Sequence, residues 1–117
     1  MVVMPAKPNT SSLRRYAFLL RLRPGAETAY DAAHQAVWPE MLDLLKGAGI
    51  CEYSIYRRGL LLVLALRCQD FETTWGSIEN DPVNLRWQAA MAPLFAEMDG
   101  LKSGERFPMM EEVFYLA

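Results

Sequence analysis

The chain has 117 residues, of which 12 are Lys or Arg and 14 are Asp or Glu, so its formal net charge at pH 7 is −2. This length is enough for one domain with a single hydrophobic core. A hydrophobic fraction of 52% with 22% charged residues is typical of a globular protein and not of a disordered chain. The slight acidity and the lack of a basic run disfavour a nucleic-acid partner, and the longest apolar run, residues 60–66, is too short to cross a membrane.

The first 13 residues contain two prolines and a single lysine, and they lack the long apolar stretch of a secretion signal. We therefore expect residues 1–13 to form a flexible lead-in and residues 14–117 to form the single domain. Cys51 and Cys68 have no CxxC spacing, and the chain has one histidine, so a Cys/His zinc site is excluded. A disulfide between the two cysteines is possible across a hairpin, but free thiols in a reducing compartment are the favoured interpretation, which predicts a cytoplasmic protein.

The N-terminal half of the domain predicts a strand followed by an interrupted helix. Residues 15–22 form an apolar, aromatic-rich run that ends at a turn signal in residues 23–25, which is typical of a β-strand. From Ala26 onwards, residues recur on one face at helical spacing: Tyr30, Ala33, His34 and Val37. Pro39 lacks an amide donor and disfavours helical geometry in the residue before it, so we expect a kink or a break there. The helical pattern then resumes and ends at the glycines of residues 47–49.

A β-hairpin is predicted next. Residues 50–57 alternate with a period of two, which is typical of a strand with one buried face. The residues expected on one face of this strand are Cys51, Tyr53 and Ile55. Arg58-Gly59 suits a tight turn, and the continuous apolar run of residues 60–66 predicts a strand that is buried on both faces.

Two more helices and a last strand complete the predicted order. Asp70 is a candidate N-cap for a helix that residues 80–82 would end. Pro82 suits the first turn of a further helix, because an amide donor at that position would have no partner within the helix. Residues 99–108 are predicted to form a loop, and residues 109–117 are predicted to form the last strand.

The predicted order of strand, helix, strand, strand, helix, strand is that of a ferredoxin-like α+β fold. In this fold a four-stranded antiparallel sheet carries its helices on one face, so the other face meets water or a partner. The strand over residues 60–66 is apolar on both faces, which favours burial of the uncovered face against a second sheet. We therefore predict a homodimer with a dimeric α/β-barrel type of association.

His34 is the candidate acid/base, because it is the single histidine and imidazole is the side chain that exchanges protons near neutral pH. Tyr30 lies one helical turn before it and Trp38 one turn after it, and an aromatic wall around a polar acid/base suits a small sugar or an aromatic ligand. Tyr53 is expected on a buried strand face, where its hydroxyl needs a partner such as a ligand hydroxyl. The structural alternatives are a histidine in the core or on the surface and a tyrosine bonded to a backbone carbonyl.

The remaining aromatic residues at helical spacing are expected in the core: Phe71, Trp75, Trp87 and Phe95. The sequence contains no glycine-rich phosphate loop, no arrangement of a Ser or Cys nucleophile with its base, and no paired histidines. We therefore predict no cofactor and no metal. From the residues alone, the prediction is a ferredoxin-like dimer with one candidate acid/base histidine.

Four segments of the sequence resemble the L-rhamnose mutarotase family. They are residues 17–49 with their H…WPE block, residues 52–58 (EYSIYRR), the pair Arg86-Trp87 and residues 111–116 (EEVFYL). The resemblance extends from about residue 15 to residue 117 and keeps the order and spacing of the family. It implies a cytoplasmic, homodimeric isomerase that needs no cofactor and interconverts the α and β anomers of L-rhamnose.

The resemblance also implies roles for individual residues. The proton-donor histidine of the family corresponds to His34, and its two substrate-binding tyrosines correspond to Tyr30 and Tyr53. Its adjacent pair of tryptophans corresponds to Trp87 and Gln88, so glutamine replaces the second tryptophan in this chain. A glutamine offers hydrogen bonds but no stacking face, so L-fucose or another deoxy-sugar is an alternative substrate. We expect Gln88 to affect sugar specificity and not the chemistry.

Two further classes of function stay open on the sequence. A cofactor-independent monooxygenase would use the aromatic-lined cavity to hold an electron-rich ring, and it would consume oxygen. A non-catalytic ligand-binding module would keep its function after replacement of His34. Exchange between the two anomers of L-rhamnose, measured by NMR, would distinguish a mutarotase from both alternatives.

Overall fold

The structure is a computed structural model that describes residues 12–117. The predicted lead-in lies outside the described residues over positions 1–11, so the lead-in and the domain boundary after it stay predictions. The helices and strands, in chain order, are β1 (Arg14–Leu22), α1 (Glu27–Gln35), α2 (Pro39–Gly47), β2 (Cys51–Arg58), β3 (Leu61–Cys68), α3 (Phe71–Ile78), α4 (Pro82–Met91), β4 (Phe95–Ala96) and β5 (Met109–Met110). No helix within residues 12–117 is both long enough and apolar enough to span a membrane.

The strands form one antiparallel sheet in the order β2-β3-β1, and both β4 and β5 pair with the remaining edge of β1. β4 lies opposite Arg21 and Leu22, and β5 lies opposite Ala17 and Phe18. Two short strands therefore occupy the place of one edge strand. This arrangement confirms the predicted α+β fold with a ferredoxin-like, four-stranded antiparallel sheet.

One face of the sheet packs against the helices. Alternate residues of β3 are buried, as are Phe18 and Leu22 in β1, and Phe18 lies opposite Leu64 in the ladder. The ring of Phe18 meets the rings of Phe71 and Trp75 in α3 at centroid distances of 5.6 and 5.9 Å. The intervening residues of β3, such as Val63, point to the opposite face and are half-buried. The core thus lies between the helices and one face of the sheet.

The predicted interruption at Pro39 is a complete break between two helices. α1 ends at Gln35, and α2 begins with Pro39 in its first turn, where a missing amide donor costs nothing. Trp38 adopts an extended conformation between the two helices, with φ −55° and ψ 134°. The expectation that Trp38 lies one helical turn after His34 is therefore wrong, because α1 ends before it.

Aspartates begin the two C-terminal helices, and the sequence predicts the first of these two caps. The Asp70 carboxylate accepts a hydrogen bond from the amide of Thr73 at 2.9 Å, which confirms Asp70 as the N-cap of α3. The Asp81 carboxylate accepts from the amide of Val83 at 2.9 Å, and Pro82 follows as the first residue of α4. The start of α4 matters for the site, because this helix carries two of the predicted site residues.

A β-bulge near the start of β2 changes the face that one residue occupies. Glu52 has a φ of 50°, and the register shifts between Cys51 and Ser54. The partners of Cys51 and Ser54 in β3 are two residues apart, so these two side chains share the outward face of the sheet. The prediction that Cys51 shares a face with Tyr53 and Ile55 is therefore wrong. Both cysteines are free thiols, as expected.

The predicted last strand is wrong beyond its first two residues. β5 ends at Met110, and residues 111–117, called the C-terminal segment below, form no ladder. The register of β5 would set Arg14, the first residue of β1, opposite Val113, so the later residues run past the end of β1. Side chains hold the start of the segment instead, because the Arg15 guanidinium donates two hydrogen bonds to Glu112 at 2.7 and 2.8 Å.

Candidate active site

A cavity of about 310 Å³, called the inner cavity below, lies between the sheet and the helices α1 and α4. All five residues predicted for the site line it: His34, Tyr30, Tyr53, Trp87 and Gln88. A neighbouring cavity of about 360 Å³ shares four of them: His34, Tyr53, Trp87 and Gln88. Cavities that bind small molecules have volumes of about 300–1,000 Å³, so the inner cavity is large enough for a monosaccharide.

α1 sets Tyr30 and His34 one turn apart on the face toward the cavity, as the spacing predicts. Their rings stack with centroids 4.0 Å apart and planes inclined by 30°. His34 Nδ1 lies 2.9 Å from the backbone carbonyl oxygen of Tyr30. A carbonyl oxygen can only accept, so Nδ1 carries a proton and donates it, which leaves Nε2 as the nitrogen available to a ligand.

Trp87 also contacts the imidazole of His34. Its ring meets the ring of His34 edge to face, with centroids 5.4 Å apart and planes inclined by 82°. Trp38, in the turn between α1 and α2, packs edge to face against Trp87 at 5.1 Å and so supports it. The imidazole therefore contacts the rings of both Tyr30 and Trp87, which offer apolar surface to the C–H groups of a ligand.

The two tyrosines of the site keep their hydroxyl protons at neutral pH. Burial raises the pKa of Tyr30 to about 12, with a smaller contribution from the Asp31 carboxylate. Burial also raises the pKa of Tyr53, with Tyr30 as a smaller cause. Both hydroxyls therefore donate and accept hydrogen bonds, and neither is an anionic base near neutrality.

An ion pair ties α1 to β2 beside the site. The Arg57 guanidinium donates two hydrogen bonds to the Asp31 carboxylate, from Nε at 2.7 Å and from Nη2 at 2.6 Å. These hydrogen bonds hold the pKa of Asp31 below its usual value. Asp31 follows Tyr30 in α1, and Arg57 belongs to the strand that carries Tyr53. The pair therefore fixes the distance between the two elements that supply both tyrosines.

Gln88 differs from the other four site residues because it is exposed. Its Nε2 lies 3.3 Å from Oδ1 of Asn84, one turn earlier in α4. Asn84 is buried and lines the neighbouring cavity. Nothing in the sequence singles out Asn84, because a single asparagine within a helix belongs to no motif and its burial depends on the packing of the whole domain.

Part of the cavity wall consists of residues that the sequence does not predict for the site. Trp75, expected in the core, packs against other aromatic rings but lines both cavities as well. Arg106, in the loop before β5, lines the inner cavity and forms ion pairs with Glu79 at 3.1 Å and Glu72 at 3.5 Å. Helical spacing identifies a buried face, but it does not separate a core residue from one at a cavity wall.

Proton transfer is the chemistry that this arrangement offers. Nε2 of His34 can accept or donate a proton, and the hydroxyls of Tyr30 and Tyr53 can hold a polar ligand beside it. Among the residues that the structure describes, no cluster of three or more His, Cys, Asp or Glu side chains is placed to hold a metal ion. The cavity therefore joins one acid/base group to hydrogen-bonding and apolar surfaces of the kind that a sugar requires.

The model of the L-rhamnose mutarotase family matches residues 15–116 of this chain. The L-rhamnose mutarotase of Sinorhizobium fredii is 40% identical over 85 residues, which cover 70% of this chain and 80% of that protein. The L-rhamnose mutarotase of Rhizobium meliloti is 39% identical over 85 residues, with the same coverage of 70% and 80%.

Solved structures share the fold. The crystal structure of an L-rhamnose mutarotase from Formosa agariphila matches with a TM-score of 0.71 and 27% identity, covering 89% of this chain and 99% of that chain. The tetracenomycin F2 cyclase of Streptomyces glaucescens matches with a TM-score of 0.66, covering 89% and 97% of the two chains, but at 14% identity this likeness concerns the fold alone. The family model matches nearly the whole domain, and a curated member of the same family is 40% identical to the chain over 85 residues. The chain therefore belongs to the L-rhamnose mutarotase family.

Proposed function

We propose that this chain is an L-rhamnose mutarotase, an isomerase that interconverts the α and β anomers of L-rhamnose. The observation that carries the proposal is the imidazole of His34, whose Nε2 is available in a cavity of about 310 Å³. A pyranose needs hydrogen-bond partners at its edge and apolar surface at its faces, and the cavity wall supplies both. Membership of the family supports a sugar as the substrate, and it does not favour a monooxygenase or a non-catalytic binding module.

Mutarotation requires one proton to leave the anomeric hydroxyl and one proton to reach the ring oxygen. Nε2 of His34 accepts the first proton as the bond between C1 and the ring oxygen breaks. The imidazolium then donates this proton to the ring oxygen, which becomes a hydroxyl, and His34 returns to its neutral form. Rotation about the C1–C2 bond and the reverse steps close the ring as the other anomer. One nitrogen can serve both oxygens, because both are bonded to C1.

The other four site residues bind the sugar in this proposal. The hydroxyls of Tyr30 and Tyr53 hydrogen-bond to sugar hydroxyls, Trp87 packs against the C–H face, and Gln88 contacts a hydroxyl at the rim. A positioned acid/base accelerates a reaction by about 10²–10⁴-fold, or roughly 3–5 kcal/mol of barrier. Because the ring also opens unaided in water, this contribution from one histidine is sufficient.

The test is saturation-transfer NMR between the α and β anomeric protons of L-rhamnose, with and without the protein, and with L-fucose as a second sugar. We expect faster exchange with the wild-type protein and loss of most of this acceleration in His34→Ala, by about 100-fold or more. Gln35→Ala is the matched control, because Gln35 is the exposed neighbour in α1. Exchange close to the wild-type rate in a folded His34→Ala protein would contradict the mechanism.

We further propose that two copies of the chain form a homodimer. On the outward face of the sheet, Leu19 lies opposite Val63, and the apolar side chains of β1 and β3 on this face are only half-buried. In the C-terminal segment, Val113, Phe114 and Leu116 are 93%, 78% and 80% exposed. Large apolar residues exposed together are typical of a surface that meets a partner.

We also propose a cytoplasmic location. Cys51 and Cys68 are both free thiols, so the fold uses neither as a cross-link. Free cysteines suit a reducing compartment. Thiol labelling of the protein in intact and in lysed cells, followed by fractionation, tests the location, and recovery outside the cytoplasmic fraction would contradict it.

A further inference from the structure

The side-chain amide of Asn84 has a fixed direction. Asn84 lies in the first turn of α4 and is only 3% exposed. Its Nδ2 donates a hydrogen bond to the backbone carbonyl oxygen of Glu79 at 3.3 Å. Because a carbonyl oxygen cannot donate, the amide nitrogen must face Glu79, and Oδ1 is then the atom directed to the next turn of the helix.

The fixed amide of Asn84 in turn sets the direction of Gln88. These residues are four positions apart in α4, and Gln88 Nε2 donates to Asn84 Oδ1 at 3.3 Å. The reverse orientation of Gln88 would bring two amide oxygens together, which is repulsive. Gln88 therefore gives its nitrogen to Asn84 and keeps Oε1 for a ligand. Gln88 lines both cavities beside His34 and Trp87, so this oxygen belongs to the site.

We propose that Asn84 is a positioning residue that makes Gln88 a dedicated hydrogen-bond acceptor for one hydroxyl group of the bound sugar. This inference rests on the proposed mutarotase function and adds a determinant of specificity to it. Asn84 acts only through Gln88, and neither residue moves the proton that His34 transfers. The site therefore selects sugars that have a hydroxyl donor facing Gln88 Oε1.

The test compares L-rhamnose with three analogues in which fluorine replaces the 2-, 3- or 4-hydroxyl, because fluorine cannot donate a hydrogen bond. Anomer exchange is measured for the wild-type protein, Gln88→Met and Asn84→Leu, which keep similar side-chain sizes without polar atoms. The fluorine penalty is the fold decrease in kcat/KM when fluorine replaces one hydroxyl. At one of the three positions, we expect this penalty to be about three- to tenfold larger in the wild type than in either variant. A factor of this size corresponds to the loss of one neutral hydrogen bond. The variants should change KM and leave kcat nearly unaltered.

Leu85→Ala is the control, because Leu85 is an exposed residue of the same helix, and this variant should keep the wild-type pattern of penalties. Equal penalties in the wild type and Gln88→Met at all three positions would overturn the proposal, even if Asn84→Leu did not fold. A wild-type pattern in a folded Asn84→Leu protein would overturn the positioning role of Asn84. A wild-type protein that fails to exchange L-rhamnose would instead contradict the proposed function.

Discussion

The imidazole of His34 is oriented by the backbone of its own helix as well as by its neighbours. The Tyr30 carbonyl oxygen holds Nδ1 at 2.9 Å, and the Tyr30 ring stacks on the imidazole at 4.0 Å. Phenylalanine at position 30 would keep both contacts and remove only the hydroxyl. Tyr30→Phe therefore isolates the hydroxyl from the part of Tyr30 that orients the histidine.

The raised pKa of Tyr30 predicts a loss of stability at alkaline pH. Burial raises this pKa to about 12 in the folded protein, whereas an unfolded chain has a tyrosine pKa of about 10. Between these values the unfolded state binds fewer protons, so the free energy of unfolding is unaffected below pH 10 and falls as pH rises to 12. For Tyr30 the fall amounts to about 2–3 kcal/mol.

Urea unfolding at intervals from pH 9 to pH 12 measures this loss. Tyr30→Phe should show a shallower decrease than the wild-type protein over the window from pH 10 to pH 12. Tyr56→Phe serves as the control, because the Tyr56 side chain is 62% exposed and lies outside the core. An unchanged decrease in Tyr30→Phe would mean that the phenol is not desolvated in the folded protein.

The sequence predicts some of these residue-level features and misses others for physical reasons. His34 and Tyr30 share a face because a helix repeats every 3.6 residues, and spacing alone gives that result. Strict alternation predicts the wrong face for Cys51, because the bulge at Glu52 inserts a residue into the alternating pattern. The role of Asn84 depends on a carbonyl group from another turn of the chain, which no local pattern contains.

At the scale of elements, α4 connects its N-terminal cap to the site. Asp81 accepts a hydrogen bond from the amide of Val83 at the start of the helix that carries Trp87 and Gln88. Asp81→Ala removes this acceptor and should lower the free energy of unfolding by about 1 kcal/mol, measured by urea denaturation. The exposed start of the helix would then lack a partner for one amide group.

Asp81→Asn is the matched variant, because asparagine keeps an oxygen acceptor and removes the charge. It should retain most of the stability that Asp81→Ala loses, since both residues are good N-caps. If Asp81→Asn were as destabilised as Asp81→Ala, the charge and not the hydrogen bond would be the stabilising feature. Asp81 would then stabilise α4 through the helix dipole.

The order of elements was predictable because prolines, glycines and hydrophobic periods are local signals. Pro39 and Pro82 begin helices at the positions that their missing amide donors favour. The sequence predicts a strand over residues 109–117, but a strand also needs a partner. β1 begins at Arg14, which the register of β5 would set opposite Val113, so β1 offers no strand partner to the residues after Val113.

In the fold as a whole, the free edge of β2 and the unpaired C-terminal segment are complementary, because each lacks a strand partner among the described residues. β2 is the outermost strand on its side of the sheet, and within residues 12–117 it pairs only with β3. It has eight residues with a free edge, and the C-terminal segment is a strand-like stretch of seven residues without a ladder. A free edge of this kind readily accepts a strand from another chain.

We therefore expect the C-terminal segment to stabilise the homodimer by contacting the second copy. Burying one large apolar side chain contributes about 1.5–3 kcal/mol, and a tenfold change in a dissociation constant corresponds to about 1.4 kcal/mol. Removal of residues 111–117 should therefore raise the dimer dissociation constant by at least about tenfold. Analytical ultracentrifugation over a range of concentrations measures the change.

Phe114→Asp should weaken the dimer of the 117-residue chain and Phe114→Leu should not, because leucine keeps the apolar contact. If the 117-residue chain were monomeric at micromolar concentration, this result would contradict the dimer. Equal dissociation constants for the 117-residue chain and for the chain without residues 111–117 would place the interface on the sheet face alone.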